Sequence, residues 1–273
     1  MTEVEFTHIG GPTVLIEFAG WRLLTDPTFD PPGRTYRFGW GIGSRKLTGP
    51  ALPAADLPPI DAVLLTHDHH GDNLDRAGRA LLPAAGTVIT TASGARRLAA
   101  GALGGAAPPG GVHGLRPGRT HRLEAAGRPS ITVTATPCRH GPPFSRPITG
   151  DVIGFALTWP GQRHGPLWIT GDTVRHPAVR RAATALRPGT VLLHLGAVRF
   201  PQTGPLRYTM AAADALALLD GLAPATVLPV HYEGWQHFSQ NRDGIDATLD
   251  AAPSAIARTF TWLPPGKPHA IDV

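Results

Sequence analysis

Short apolar runs broken by glycine and proline set the rhythm of this chain. Thr13–Phe18 and Trp21–Thr25 each read as a strand, and Ala19-Gly20 between them is a hairpin signal. Residues 61–65 form an apolar run of strand length, and the pattern returns at 87–90, 130–136, 152–158, 167–170, 190–195 and 225–230. Helical spacing predicts a short helix over 73–82, one over 93–103 with Ser93 as its N-cap, and others over 179–186, 211–222 and 245–252. Residues 31–59 are rich in Gly and Pro and carry Tyr36, Phe38 and Trp40 two apart, which reads as a long ordered loop overhanging a site. Residues 104–111 form a second Gly/Pro loop. Strands dominate both halves and helices accompany each, with no composition break and no short repeat. The pattern predicts a single α+β domain over residues 1–273, with two sheets between helices.

Composition narrows the partners. Charged residues are 16% and hydrophobic residues 42%, a globular balance with enough apolar surface for a sizeable core. The net charge of +5 is carried almost wholly by arginine, since Lys46 and Lys267 are the only lysines. The basic residues are scattered rather than clustered, which argues against a nucleic-acid groove and for a small-molecule substrate. One cysteine, Cys138, excludes an internal disulfide. The acidic start Met1-Thr2-Glu3-Val4-Glu5 has no apolar signal core, and no run reaches membrane-span length, so a cytoplasmic protein is expected. Oligomeric state has no signature here.

The densest chemistry lies directly after the 61–65 run. Three histidines and three aspartates fall within the nine residues His67 to Asp75. Imidazole nitrogen and carboxylate oxygen are the usual ligands of zinc, and they suit manganese and iron. Three later strand ends carry similar groups: Cys138-Arg139-His140, Gly171-Asp172-Thr173 and Val230-His231-Tyr232. Each alone reads as a turn, a cap or a hydrogen-bonded histidine. Together they form a set that a rigid scaffold could bring to one place. Cys138 is a tempting thiolate ligand, but a small buried residue at a strand end is the favoured reading.

This order of motifs resembles the metallo-β-lactamase superfamily, whose pattern is a His-x-His-x-Asp-His loop followed by a lone His, a lone Asp and a lone His. More narrowly, the chain is similar to the branch holding L-ascorbate 6-phosphate lactonase and the N-acyl phosphatidylethanolamine phospholipase D enzymes. That likeness rests on Gly10-Gly11-Pro12-Thr13-Val14-Leu15-Ile16, Leu24-Thr25-Asp26-Pro27, Leu195-Gly196-Ala197 and Pro229-Val230-His231. The resemblance implies a four-layer αββα sandwich with the metal site on one edge. It implies that His140 binds a first metal, that Asp172 bridges two, and that His231 binds the second.

The signature loop departs from the family. Read from the right, Asp72 takes the family's Asp, His70 the second His, Asp68 falls on the first His, and Asn73 replaces the last His. Read from the left, Thr66-His67-Asp68-His69 matches the usual start with one residue inserted. The preferred register takes His67, His70 and Asp72 as ligands, with His69 facing elsewhere or supporting a ligand, and Asp68 as the rival first ligand. Asn73 leaves the second site one imidazole short, which predicts one or two divalent ions of unequal affinity, zinc first, manganese or iron as alternatives.

The expected chemistry is hydrolysis of a small ester, lactone or phosphodiester by a metal-activated water, with Asp72 and Asp172 as the catalytic carboxylates. His194, Arg199, Tyr208 and His237 are candidate proton or oxyanion donors, Trp235 and Phe238 candidate pocket residues with the loop aromatics, and Asp26 a support behind the ligands. A weakened metal-binding member of the fold, a nuclease and a metal oxidoreductase are the competing classes.

Overall fold

The computed structural model describes residues 3–39, 41–99 and 106–273. Its strands are β1 (Glu3–Gly10), β2 (Thr13–Phe18), β3 (Trp21–Thr25), β4 (Thr35–Gly39), β5 (Ile42–Arg45), β6 (Ala62–Leu64), β7 (Thr87–Thr91), β8 (Val112–Leu115), β9 (Thr120–Leu123), β10 (Ile131–Pro137), β11 (Ile153–Thr158), β12 (Leu167–Ile169), β13 (Thr190–His194), β14 (Thr226–Val230) and β15 (Pro268–Asp272). The helices are α1 (Arg76–Leu81), α2 (Ala92–Arg97), α3 (Arg146–Thr149), α4 (Pro177–Leu186), α5 (Ala212–Leu219), α6 (Arg242–Asp250) and α7 (Ser254–Ala257). One sheet has the order β15-β1-β2-β3-β6-β7-β8, the other β14-β13-β12-β11-β10-β9, and β4-β5 stand apart as a hairpin.

Alternation along buried strands builds the layers. Ala62 and Leu64 of β6 join a core with Val133, Phe155, Leu192 and Leu228 of the second sheet, while Val63 and Leu65 turn the other way to meet Leu82, Val88 and Leu98. In β13, Leu192 faces between the sheets while Val191 and Leu193 pack on Val179, Ala215 and Ile245 of α4, α5 and α6. A strand covered on both faces reads as a continuous apolar run, which is why these segments stand out in the sequence. Each such leucine or isoleucine contributes roughly 1.5–3 kcal/mol by burial. The result is the expected αββα sandwich. No described helix is long and apolar enough to cross a membrane.

Several elements differ from expectation. β1 alternates Glu3 and Glu5 with Val4 and Phe6, a period-two pattern masked by its charges. The 31–59 segment is not a plain loop: the two-residue spacing of Tyr36 and Phe38 is strand alternation, and β4 pairs antiparallel with β5. Trp40 lies outside the described residues. The helix expected over 73–82 begins at Arg76, because Asp75 caps it through the Gly78 amide at 2.8 Å. The helix expected over 93–103 is capped by Thr91, not Ser93, and residues 100–103 lie outside the described residues. Ser93 instead bonds Asp151 at 2.9 Å. Strands β8, β9 and β15 are short and mostly exposed or half-buried, so their sequences carry no sustained apolar run.

Candidate metal centre

The site is built from strand ends. β3 and β6 run parallel in one sheet; β12, β13 and β14 run parallel in the other, with β10 in the same direction. Functional groups of open α/β sheets gather beyond the carboxyl ends of such strands. Two backbone bonds join the sheets there, Ile153 N to Thr66 O at 3.2 Å and His231 N to Gly11 O at 2.9 Å.

The signature loop is shaped from behind. Thr66 donates its amide to Asp26 Oδ1 at 2.7 Å and its hydroxyl to Oδ2 at 2.9 Å, and Asn73 Nδ2 donates to the same carboxylate at 3.2 Å. The amides of Asn73 and Leu74 turn back onto the His70 carbonyl at 3.2 and 2.9 Å. Asp75 accepts the buried Lys46 ammonium at 2.9 Å, which ties the loop to the β4-β5 hairpin. Asp26 and His231 hold φ of +31° and +57°, left-handed conformations that are uncommon outside glycine and that gather at functional sites.

Two groups of ligand-type atoms result. His67, His70 and His140 form one; Asp72, Asp172 and His231 form the other; within each, the ligand-type atoms lie within 4.8 Å of one another, and every residue is buried. His67 Nε2 and His140 Nε2 lie 3.1 and 3.2 Å from His70 Nδ1. Metal–nitrogen bonds of about 2.0–2.1 Å place tetrahedral neighbours roughly 3.3 Å apart, so this spacing suits a shared ion. His140 Nδ1 donates to the Tyr208 carbonyl at 2.8 Å, and His67 Nδ1 lies 3.0 Å from the Thr66 hydroxyl. Each contact turns the opposite nitrogen inward. In the second group His231 Nε2 is 3.5 Å from Asp72 Oδ2, and His231 Nδ1 is 3.5 Å from Asp172 Oδ1. The other oxygen of Asp172 lies 4.0 Å from His140 Nε2, so this carboxylate stands between the groups. It is fully buried, and neither oxygen has a hydrogen-bond partner. A buried, unpaired carboxylate is costly unless something cationic satisfies it.

A model of the β-lactamase superfamily domain matches residues 21–232. The chain belongs to the metallo-β-lactamase superfamily. A UPF0173 metal-dependent hydrolase from Methanoregula boonei is 26% identical over 214 residues, covering 76% of this chain and 84% of that protein. An uncharacterized protein of Mycobacterium tuberculosis is 38% identical over 66 residues, and the match spans only 17% of its length. Among solved structures, the isothiocyanate hydrolase from Delia radicum gut bacteria superposes with a TM-score of 0.77 at 22% identity, covering 98% of this chain and 100% of that one.

Within this superfamily frame the remaining expected residues separate clearly. Asp68 is turned away from both groups into an ion pair with Arg97, whose Nε donates to Oδ2 at 2.8 Å. The pairing also holds the Asp68 carboxyl far below the usual carboxylate range, against its burial. His69 Nε2 donates to the Thr149 carbonyl at 2.6 Å, also away from the groups. Asn73 uses its amide nitrogen on Asp26. His194 does not reach the surface: it is fully buried at the end of β13, which β12 and β14 flank, and its Nε2 lies 3.4 Å from Asp26 Oδ2. Arg199 is exposed and offers its amide to the His237 carbonyl at 3.1 Å. Trp235 packs edge-on against Tyr36, 4.9 Å between ring centres. Cys138 donates to the Thr170 carbonyl at 3.1 Å and belongs to neither group. Of the pocket candidates, Tyr208 lines the narrow cleft above the groups, with Phe38, Ile42, Val198 and Phe200. His237 lies beneath Phe38, with its Nε2 3.1 Å from Asp72 Oδ2. The apolar wall from Val198 and Phe200 was not foreseen; its only signal is their alternation across Arg199. The roles of Arg97 and Lys46 carry no sequence signal.

Charge divides the two groups. Burial and mutual repulsion hold His67 and His70 well below the usual histidine range, and burial lowers His140 despite Asp172. These imidazoles are neutral, with inward lone pairs. Burial also acts on His231, but Asp172 and Asp72 outweigh it and push its pKa up to about 9. Burial opposes the ionised form of Asp72, yet His231 and His237 hold its carboxyl well below the usual range.

Proposed function

We propose that this chain is a metal-dependent hydrolase of a small ester, lactone or phosphodiester. Asp172 carries the reading: a buried carboxylate with no hydrogen-bond partner, one oxygen toward His140 and the other toward His231. His67, His70 and His140 would hold one divalent ion, and Asp72 and His231 a second, with Asp172 shared. The imidazole group suits zinc; the carboxylate-rich group also accepts manganese or iron. Bound there, such ions would supply Lewis acidity, lowering the pKa of a water toward neutrality and polarising a carbonyl or phosphoryl oxygen.

The chain's own residues set the rest. Asp72 and Asp172 are the ligand carboxylates, and Asp72, held below the usual carboxylate range by His231 and His237, is also the proton acceptor of the reaction. Phe38, Ile42, Val198 and Phe200 wall the cleft and keep bulk water from it, which strengthens the electrostatics inside. His140 and Thr149 also border a wider cavity of about 520 Å³, lined by Arg96, Arg116, Arg139 and Arg146. Arg146 is paired with Asp151, whereas Arg96, Arg116 and Arg139 form no ion pair among the described residues. Such a wall favours a substrate with an anionic part. This agrees with the narrower likeness to the phosphate-ester lactonase and phospholipase D branch, and both belong to the proposal.

The test is a panel of nitrophenyl phosphodiesters, phosphorylated lactones and carboxylic esters, assayed with metal-loaded protein, after chelation, and after metal is restored. Turnover that disappears with chelation and returns with metal supports the proposal. Metal-loaded protein inert toward every substrate would favour a member of the fold that binds without turnover.

A further inference from the structure

We propose that His237 supplies the second site with the imidazole that Asn73 does not. This rests on the two-metal reading above. His237 is buried, and its Nε2 lies 3.1 Å from Asp72 Oδ2, while His231 Nε2 lies 3.5 Å from the same oxygen. Both spacings match neighbouring ligands around one ion with bonds of about 2.0–2.2 Å.

The contact is close but is not a hydrogen bond. Neither ring nitrogen of His237 has a hydrogen-bond partner; the same holds for His231 Nε2, Asp72 Oδ1 and both oxygens of Asp172. Polar atoms left unpaired in one buried pocket cost free energy unless a shared partner satisfies them. A cation would satisfy the carboxylates and imidazoles together. Asn73 points elsewhere: its amide nitrogen is committed to Asp26 at 3.2 Å. Its oxygen also lacks a hydrogen-bond partner, so it is the rival ligand to be tested.

The loop after β14 is built to hold His237 in place. Gln236 N bonds the Arg45 carbonyl at 3.0 Å, Arg199 N bonds the His237 carbonyl at 3.1 Å, and Ser239 N bonds the Gly196 carbonyl at 3.0 Å. Aromatic rings close around the imidazole: Phe238 at 4.7 Å, Phe38 and Phe200 each at 5.4 Å, and Trp235 at 5.8 Å between centres. These rings offer it no polar partner, and they fix its plane toward Asp72. A histidine six residues beyond His231 thereby takes over a duty lost from the signature loop.

The experiment is competitive titration of metal-stripped, full-length protein with Zn²⁺ and Mn²⁺ against a chromophoric chelator, with elemental analysis for stoichiometry. Wild type, His237→Ala, Asn73→Ala and the double variant Asn73→His/His237→Ala are compared, with circular dichroism to check folding. Wild type is expected to take up two equivalents. His237→Ala should keep the tight equivalent and weaken the other by more than the about 10–100-fold typical of losing an outer partner of a ligand. Asn73→Ala should retain both affinities, and the double variant should recover part of the second. Unchanged second-site affinity in His237→Ala, or loss in Asn73→Ala alone, would overturn the assignment while leaving two metals in place. Wild type binding no more than one equivalent would overturn the two-metal reading and the assignment together.

Discussion

The two ligand groups share Asp172 as a wall yet are opposite in charge and in construction. His67, His70 and His140 are neutral imidazoles crowded nitrogen to nitrogen, poised for a cation with no proton to displace. Asp72, Asp172 and His231 form a carboxylate-rich pocket in which His231 carries a proton until metal replaces it. The first group draws two of its members from one loop; the second draws each member from a different strand end. In the proposed arrangement one signature loop feeds two sites of different hardness, and uptake of metal should release protons mainly from the second.

The largest effect should come from the element common to both. Asp172→Asn keeps the shape but removes the shared charge. It is expected to reduce kcat/KM on the order of 10⁴-fold, the scale for losing a central member of a catalytic unit. Loss of less than tenfold would mean that the groups do not work as one centre.

A smaller change separates a ligand from a loop anchor. Arg97→Ala leaves Asp68 buried without its partner, and should lower stability in urea by about 1–3 kcal/mol. Asp68→Asn should likewise weaken folding while leaving metal stoichiometry unchanged. If metal is lost instead, Asp68 belongs among the ligands, and the register of the loop must be redrawn.

The most delicate prediction concerns pH in metal-free protein. His231 has a folded pKa raised to about 9, above its unfolded value near 6.5. Its contribution to stability is therefore full below pH 6.5 and is lost as pH rises through about 9. His67, His70 and His140 have the opposite sign: their folded pKa values are depressed, so stability falls as pH drops below the unfolded value. Tm of metal-free protein should decline on both sides of neutrality. His231→Gln should flatten the alkaline limb and leave the acid limb.

Much of this arrangement could be read from the sequence, for a physical reason. Strands covered on both faces are apolar throughout, so their ends are easy to find, and the polar residues just beyond them are the ones a sheet edge can gather. Other features were hidden because they depend on distant partners. Asp68 lies in the signature loop like a ligand, and only Arg97, twenty-nine residues away, turns it outward. His194 closes an apolar strand much as His231 follows one, but its Nε2 faces Asp26 at 3.4 Å, whereas His231 faces Asp72 and Asp172. The β4-β5 hairpin was veiled by its own glycines and by the prolines that flank it, and Lys46 reaching Asp75 ties it to the signature loop.

The most direct test of two unequal metal sites is anomalous scattering from crystals of the metal-loaded protein, collected on both sides of the zinc and manganese edges. The expectation is two peaks on either side of Asp172: zinc among His67, His70 and His140, and a second, more readily exchanged ion beside Asp72 and His231. A single peak, or two ions indistinguishable in identity and occupancy under limiting metal, would contradict it.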